Sequence, residues 1–355
     1  MKITKKKIVK RIVIISLCAI FLIYAVGSFF AVRSVFNDYF ERAEISEYTG
    51  YYRYEDYADK YERETVQFNS NGNKLTGYIY GDGDNGLVVI SHGLGGYSES
   101  YLSETLYFVD HGYKVLAYDN TGSGKSEGDG TMGMAQSVID LDAALDYVES
   151  DSKLNSLPVF LYGHSWGGYA VTAVLGLDHD ITASVSVAGY NTPMEILSEF
   201  AENMMSKPLA VIEYPFMWLN NKLTFGNMAN LSAVDGINGT DTRVMIIHGT
   251  EDEMISFDGA SIISHKDEIT NPNVEYKVME GKGHNDLFLD DETAEYINEK
   301  SEEYGELNDQ YDGDIPDEIL KKYYDNVDKA KTSKVSEQFM SDVNDFYLNA
   351  LGLSD

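Results

Sequence analysis

The segment LYGHSWGGYA, residues 161–170, places Ser165 between Gly163 and Gly167. The apolar run LPVFLY precedes the serine, and the helix-like run WGGYAVTAVLGL follows it. A Gly-x-Ser-x-Gly turn between a strand and a helix lifts a serine hydroxyl above the sheet, at a helix N-terminus that favours developing negative charge. The same five residues also fit an ordinary glycine-rich turn. Ser165 is therefore a candidate nucleophile that needs partners.

A nucleophilic serine needs a base, and the base needs a carboxylate that orients it. In a sheet of this kind the partners follow later strands, first the acid and then the histidine. Asp252, in HGTEDEMI, follows the strand-like run TRVMIIHGT, and His284, in GKGHND, follows VEYKVME. Glu251 and Glu253 are rival acids, but a short carboxylate suits a tight loop better. The order predicts a Ser165–Asp252–His284 triad.

Backbone amides are expected to bind the oxyanion of an acyl-transfer intermediate. One is the amide of Trp166, directly after the serine. The other is the amide of Leu94 in SHGLGG, where Gly93, Gly95 and Gly96 let the chain turn after an earlier strand. An ordinary turn is the alternative explanation for this segment, but its position favours the oxyanion role.

The other six histidines are assigned by position. Three adjoin strand ends, where we expect them to support the site or to pack: His92, His164 and His248. Three are expected at the surface: His111, His179 and His265.

The segment DNTGSGKSEGDG contains Gly124-Lys125-Ser126, which matches the end of a phosphate-binding loop. Such a loop requires a glycine five positions before Gly124, and Asp119 stands there instead. No nucleotide site is therefore expected.

The elements that must position these residues begin near Thr65. Short β-branched or apolar runs alternate there with longer stretches of helical spacing, which predicts an α/β fold with a mostly parallel, twisted sheet and helices on both faces. Asn71–Gly72 predicts a hairpin, so the sheet should start antiparallel. The acidic C-terminal stretch from Asp290 is helical in pattern, and its amphipathic end should pack back on the sheet.

One interval is too long for a simple crossover. More than fifty residues separate ASVSVAG from TRVMIIHGT. We expect a helical lid insertion at about 191–236, with two helices lying over the strand ends. Its apolar face should carry Ile196, Leu197, Phe200 and Met204.

The N-terminus carries six basic residues and no acid before 21 uncharged residues, 12–32. This pattern predicts a cytoplasmic basic segment at 1–11, a transmembrane anchor at 12–32, a helical juxtamembrane spacer at 33–64 and an extracytoplasmic hydrolase domain at 65–355. A cleaved signal peptide is the main alternative, although its apolar region is usually shorter. A lipoprotein signal is disfavoured because Leu17, before Cys18, is not small.

Charge and cysteine content exclude other classes. The chain has 27 Lys and Arg against 58 Asp and Glu, a net charge of −31, which disfavours nucleic-acid binding. Cys18 is the only cysteine, so an intrachain disulfide and a cysteine-based metal site are excluded.

From about Thr65 onwards the chain resembles the α/β-hydrolase superfamily, in particular the lysophospholipase- and monoglyceride-lipase-like branch grouped as serine aminopeptidase S33-type hydrolases. Its blocks SHGLGGYSESY, AYDNTGSGKSEG, GHSWGG, HGTEDEMI and GKGHND match that branch in order. The branch usually has an arginine near Asn120 or Thr121, which is absent here. The anchor, the spacer and the long C-terminal stretch are further departures. The resemblance implies Ser–Asp–His catalysis without metal or cofactor, and the name aminopeptidase does not carry over with it.

Together these observations predict a membrane-anchored serine hydrolase that cleaves carboxylic esters of small apolar acyl substrates through an acyl-enzyme. Two alternatives stay open. One is a serine peptidase or amidase acting on small peptides, and the other is a non-catalytic surface binding module on the same fold.

Overall fold

A sheet of eight strands forms the centre of the protein, which a computed structural model describes over residues 5–353. Residues 1–4 of the expected basic segment and the last two residues of the expected hydrolase domain lie outside this range. The strands are β1 (Arg63–Ser70), β2 (Asn73–Tyr80), β3 (Leu87–Ser91), β4 (Lys114–Tyr118), β5 (Val159–His164), β6 (Ala183–Val187), β7 (Arg243–Gly249) and β8 (Val274–Met279).

The strand order is β1-β2-β4-β3-β5-β6-β7-β8. Strands β3 to β8 are parallel, and β2 runs antiparallel to both β1 and β4. The expected antiparallel start is confirmed. Asn71 and Gly72 have φ of 45° and 93°, the positive values that a tight two-residue hairpin needs at both central positions.

Helices cover both faces of the sheet, as expected. In chain order, the α-helices of the described residues are α1 (Lys5–Tyr39), α2 (Leu102–Asp110), α3 (Gln136–Ser150), α4 (Trp166–Ala173), α5 (Pro193–Met204), α6 (Lys207–Phe225), α7 (Ala233–Asn238), α8 (Asp291–Gln310), α9 (Asp317–Asp325), α10 (Lys329–Thr332) and α11 (Glu337–Ala350). Alternating residues of β5 face opposite layers. Leu161 packs in the layer with α3, α4 and α7, whereas Phe160 and Tyr162 pack in the layer with α2 and α11.

The C-terminal helix α11 packs back on the sheet, as its amphipathic pattern predicts. Its buried side chains are Phe339, Met340, Val343, Phe346 and Tyr347. The hydroxyl of Tyr347 donates to the carbonyl of Leu161 at 2.8 Å, so the end of the chain is fixed to the strand that leads to Ser165.

Helix α1 is long and apolar enough to cross a membrane, a property that a signal sequence shares. It continues beyond the expected anchor as far as Tyr39, and Phe36 and Phe40 are buried in the core. The expectation of a helical spacer over 33–64 is wrong beyond Tyr39. The chain there lies on the body, because Arg42 donates to the carbonyls of Gly124, Ser126 and Gly128 at 2.6–2.9 Å.

These contacts also explain the loop that resembles a phosphate-binding motif. Its carbonyl oxygens converge on the guanidinium of Arg42, and its Lys125 amide donates to the carboxylate of Asp119 at 2.9 Å. Because these carbonyl oxygens are hydrogen-bond acceptors, they bind the Arg42 cation and would not bind a phosphate, which also only accepts. The glycine-rich loop therefore serves to dock the segment after α1.

The long insertion contains the two expected helices, α5 and α6. The expected apolar face of α5 is divided between two environments. Ile196 and Leu197 are buried in the core, Phe200 is half-buried, and Met204 is 64% exposed. The first turns of α5 thus pack on the body, and its end does not.

His179 is not the free surface residue that the sequence suggested. Its side chain is 5% exposed and lies between two carboxylates of α3, with Asp142 at 2.8 Å and Glu149 at 2.7 Å. Its hydrogen bonds to Asp142 and Glu149, opposed in part by burial, raise the pKa of His179 to about 9. The imidazolium fastens α3 to the turn before β6.

Candidate active site

Ser165 alone forms the turn between β5 and α4. Its backbone angles, φ 58° and ψ −114°, lie in a region that residues with a side chain rarely adopt. The amide of Ser165 donates to the carbonyl of Val187 at 2.8 Å, and its carbonyl accepts from the amide of Tyr169 at 3.0 Å. Bonds to β6 and to α4 hold the strained residue in place.

The glycines on either side of Ser165 are required by close backbone contacts. A Cβ on Gly163 would lie 2.2 Å from the carbonyl oxygen of Gly167. A Cβ on Gly167 would lie 1.9 Å from the carbonyl oxygen of Ser91, at the end of β3. The spacing of the motif therefore follows from how tightly β3, β5 and α4 meet.

Asp252 follows β7, His284 follows β8, and the structure brings their side chains together. Asp252 Oδ2 accepts from His284 Nδ1 at 2.7 Å, while Oδ1 accepts from the amides of Met254 and Ile255 at 2.9 and 2.8 Å. Burial alone would raise the pKa of Asp252, but hydrogen bonds from His248 and His284 outweigh it and hold this pKa well below its usual range. An ionised carboxylate only accepts, so His284 carries its proton on Nδ1 and Nε2 is free to accept another.

The rival acids occupy a different environment. Glu251 and Glu253 are exposed, whereas the carboxylate of Asp252 is fully buried. Within residues 5–353, neither glutamate hydrogen-bonds to His284. Only Asp252 can orient that imidazole in this conformation.

Ser165 and His284 line the same cavity, but no hydrogen bond joins Ser165 Oγ to the imidazole among the described residues. Catalytic hydrogen bonds are often long in a site without substrate and tighten when one binds. The structure thus brings the three predicted residues into one site, with the acid–histidine contact formed and the histidine–serine contact open.

Leu94 and Trp166 line this cavity too. In the described part of the chain, the backbone amide of neither residue has an acceptor within the protein. The indole of Trp166 is buried and donates to the carbonyl of Met134 at 2.9 Å, which fixes the residue at the start of α4. Both amides are available to a ligand atom.

A chain of buried hydrogen bonds links the loop after β3 to the loop of His284. The amide of Gly93 donates to the Tyr101 hydroxyl at 3.0 Å, and that hydroxyl lies 2.8 Å from His164 Nδ1. His164 Nε2 lies 2.9 Å from the carbonyl of His284. Because this carbonyl only accepts, Nε2 carries the proton of His164, and Tyr101 donates to Nδ1. The four groups therefore form one continuous, directional chain.

His164 works in this chain as a neutral group. Burial, reinforced by the nearby imidazole of His284, lowers the pKa of His164 to about 3. His92 is similar, since burial lowers its pKa and its Nε2 accepts from the amide of Asn120 at 2.9 Å. The supporting role expected for these two histidines is consistent with their contacts.

The cavity around Ser165 has a volume of about 510 Å³. Several of its lining residues were not singled out as site residues from the sequence: Tyr39, Tyr101, Tyr190, Met254, Asn285 and Phe288. They come from segments that are far apart in the chain, so only folding reveals them. Glu199 was also missed. Its carboxylate accepts from the amides of Ser256 and Ala260 at 2.7 Å, which ties α5 to the loop after Asp252.

One group of side chains in the described residues has the spacing of metal ligands, namely Asp146, Glu149 and His179. None of the three lines the cavity of Ser165. The group is therefore not part of this site.

Known proteins are similar to this chain in sequence and in fold. The sequence model of the family described as serine aminopeptidase, S33, matches residues 83–228, which include Leu94, Ser165 and Trp166. An esterase of Pyrococcus furiosus, Pf2001, has a similar structure, with a TM-score of 0.53 and 19% identity over 76% of this chain and 98% of the esterase. The chain has the α/β-hydrolase fold, and its residues 83–228 match this family.

Two curated proteins are similar to parts of this hydrolase. The quorum-quenching protein AidA of Acinetobacter baumannii is 28% identical over 44% of the chain, and the match spans about half of AidA (52%). The polyketide transferase af380 of Aspergillus fumigatus is 26% identical over 66% of the chain and 94% of the transferase. The fold and the family match support a hydrolase of the esterase or lipase type.

Replacing Asp252 by Asn should lower kcat/KM for a soluble acetyl ester by roughly three to four orders of magnitude, because an amide does not hold His284 in the tautomer with a free Nε2. Steady-state kinetics would measure the loss. Glu251→Gln is the matched control and should stay within about twofold, as an exposed charge has little effect on a buried site. A larger loss for Glu251→Gln would refute the choice of acid.

Replacing Tyr101 by Phe should lower kcat by roughly tenfold and stability by about 1–3 kcal/mol, because the Gly93 amide and His164 Nδ1 lose their buried partner. Tyr113→Phe is the matched control. The Tyr113 hydroxyl is buried without a hydrogen-bond partner in the described structure, so its removal should leave kcat unchanged and should not lower stability. Kinetics and thermal melts would compare the two variants, and equal effects would contradict a positioning role for Tyr101.

Proposed function

We propose that this hydrolase is a membrane-anchored, extracytoplasmic serine esterase that acts on small apolar acyl esters through a Ser165–Asp252–His284 triad. The observation that carries the proposal is the meeting of three features at one cavity, which Ser165 and His284 line and behind which Asp252 contacts His284. A serine is held at positive φ, a histidine has a free Nε2, and a buried carboxylate orients that histidine. The backbone of Ser165 is strained, and the carboxylate of Asp252 carries a desolvation penalty. A role in acyl transfer would explain both costs.

The reaction follows from these positions. Ser165 Oγ attacks the ester carbonyl carbon while His284 Nε2 accepts the hydroxyl proton, and the amides of Leu94 and Trp166 donate to the resulting oxyanion. Breakdown of this intermediate releases the alcohol, which takes the proton back from His284. A water molecule, deprotonated by His284, then attacks the acyl-serine and releases the carboxylic acid. Asp252 stabilises the imidazolium in both halves.

Peptidase activity is the second enzymatic candidate, and the cavity lining argues against its aminopeptidase form. A free peptide N-terminus is cationic and would need a carboxylate close to the scissile bond. Among the described residues, the lining of this cavity contains no Asp or Glu. Aromatic, methionine and aliphatic side chains predominate, among them Phe200, Ile196 and Met254, and they favour an apolar acyl group.

A non-catalytic binding module is disfavoured by the energetics of the site. A module that only binds ligands gains nothing from a serine in a strained backbone conformation or from two amides without acceptors on residues that line the same cavity. We further propose that α5 and α6 act as a lid, since Ile196 and Phe200 of α5 line the cavity.

The membrane anchor and the outside location are supported by α1. Its residues 12–32 are apolar and largely exposed, so they need a nonpolar environment that the body does not supply. The basic residues before them favour a cytoplasmic N-terminus. The body then lies on the other side of the membrane.

A fluorophosphonate probe should label the wild-type hydrolase covalently, because it reacts with an activated serine. Ser165→Ala should abolish labelling and lower ester turnover by several orders of magnitude. The control Ser150→Ala, an exposed serine at the end of α3, should be labelled like the wild type. In-gel fluorescence would record the result, and persistent labelling of Ser165→Ala would exclude this nucleophile.

Protease added to intact cells should digest the body and leave a short N-terminal fragment protected by the membrane. Immunoblotting with tags at each end would detect both pieces. Protection of the whole chain until lysis would place the body in the cytoplasm instead. A soluble protein that begins near Ser28 would show that the apolar segment is a cleaved signal.

A further inference from the structure

A second cavity, of about 490 Å³, lies between α1 and the insertion helices α5 and α6. We call it the anchor groove. Helix α1 contributes Ala31, Val35 and Phe36, while α5 and α6 contribute Ala201 and Ile212 among others. Apart from Tyr24, Ser28, Tyr39 and Glu213, every lining side chain is nonpolar. The groove is therefore suited to a hydrocarbon rather than to a polar ligand.

The anchor groove adjoins the cavity of Ser165. Two residues, Tyr39 at the end of α1 and Phe200 on α5, line both spaces. Their rings are in contact, with centroids 5.6 Å apart and planes inclined at 48°. The two cavities therefore share Tyr39 and Phe200 as lining residues, and these two rings lie where the cavities adjoin.

The end of the groove at Tyr24 lies at the depth of the membrane if residues 12–32 of α1 span it. With a rise of about 1.5 Å per residue, Tyr24 lies about 18 Å along the helix from Ile12, beyond the middle of an apolar segment about 30 Å long. At this level α6 packs on α1. Glu213 accepts from the hydroxyls of Tyr24 and Ser28 at 2.6 and 3.3 Å, and Phe216 packs edge-on against Tyr24.

Helix α6 has a surface that matches this location. Its large apolar side chains that remain exposed are Leu209, Val211, Ile212, Trp218, Leu219 and Leu223. A soluble protein rarely exposes so many apolar side chains on one helix, whereas a helix that lies in the outer layer of a bilayer does so. The mouth of the groove therefore opens towards lipid.

We propose that the anchor groove holds the acyl chain of a membrane lipid ester, which enters from the outer leaflet and reaches Ser165 past Tyr39 and Phe200. This inference rests on the proposed esterase function and on α1 lying in a bilayer. It extends the substrate class from small acyl esters to long-chain esters that are drawn directly from the membrane. The anchor helix is then part of the substrate site as well as a tether.

The test compares two esters with the full-length hydrolase in phosphatidylcholine vesicles. One is a palmitoyl ester embedded in the vesicles, and the other is the soluble acetyl ester of the same alcohol. Ala31→Trp fills the groove and should lower the ratio of palmitoyl to acetyl turnover by at least about tenfold, the loss expected when two or more methylene groups are excluded from an apolar site.

Ala19→Trp is the matched control, because it makes the same change on an exposed part of α1 that does not line the groove. It should leave the turnover ratio of the wild type unchanged. An unchanged ratio in Ala31→Trp, or an equal fall in Ala19→Trp, would overturn the proposal. If the wild type cleaves neither ester, the esterase function fails, and occupancy of the groove is decided by the labelling experiment below.

Photolabelling tests occupancy without catalysis. Ser165→Ala in vesicles that contain a diazirine-bearing palmitoyl ester should give cross-links in residues 31–40 and 197–217, and Ala31→Trp should reduce them by at least about fivefold relative to cross-links near Ala19. Cross-links spread evenly along α1 would overturn the proposal. Cross-links between two copies of the chain at the groove would show a protein occupant and would overturn it as well.

Discussion

The turn at Ser165 brings the backbones of β3, β5 and α4 closer together than side chains would allow. Gly167 lies against the carbonyl of Ser91, and Gly163 lies against Gly167, so neither position tolerates a Cβ. Ser165 is left with positive φ, and all eight residues of α4 are buried, which prevents the turn from relaxing. The loop after β3, which carries Leu94, is consequently next to the serine. Ser165, the amides of Leu94 and Trp166 and the start of α4 are all positioned by this one close approach.

Histidines connect the loops that surround this turn. His92 links the loop after β3 to the loop after β4, and His164 links Tyr101 to the backbone of His284. Burial keeps His92 and His164 neutral, so each imidazole donates from one nitrogen and accepts at the other. His248 lies 3.2 Å from Asp252, on the side of the carboxylate that also accepts from His284. The site is held by directional bonds rather than by packing alone, which fixes the tautomer of His284.

The N-terminal part of the chain is integrated with the body. Phe36 and Phe40 enter the core, Arg42 docks on three carbonyls of the loop after β4, and α1 packs along α6. A flexible linker between anchor and enzyme would let the cavity face any direction. The contacts described here instead fix the direction of α1 relative to Ser165, so a membrane around α1 would meet the insertion helices at a defined depth.

Much of this protein was predictable from its sequence because the signals are local. A Gly-x-Ser-x-Gly turn, an Asn-Gly hairpin and the alternation of apolar runs each reflect backbone angles or periodicity within a few residues. The length of the apolar run at 12–32 likewise needs no tertiary information to suggest a span.

The tertiary structure decided what depends on contacts between distant segments. It distinguished buried Asp252 from exposed Glu251 and Glu253, brought Tyr101 to His164, and laid residues 40–62 on the body instead of in a helix. It also placed α1 against α5 and α6. The local sequence around Tyr39, Tyr101 or Phe200 does not predict these contacts, because the partners of a side chain depend on how the whole chain packs.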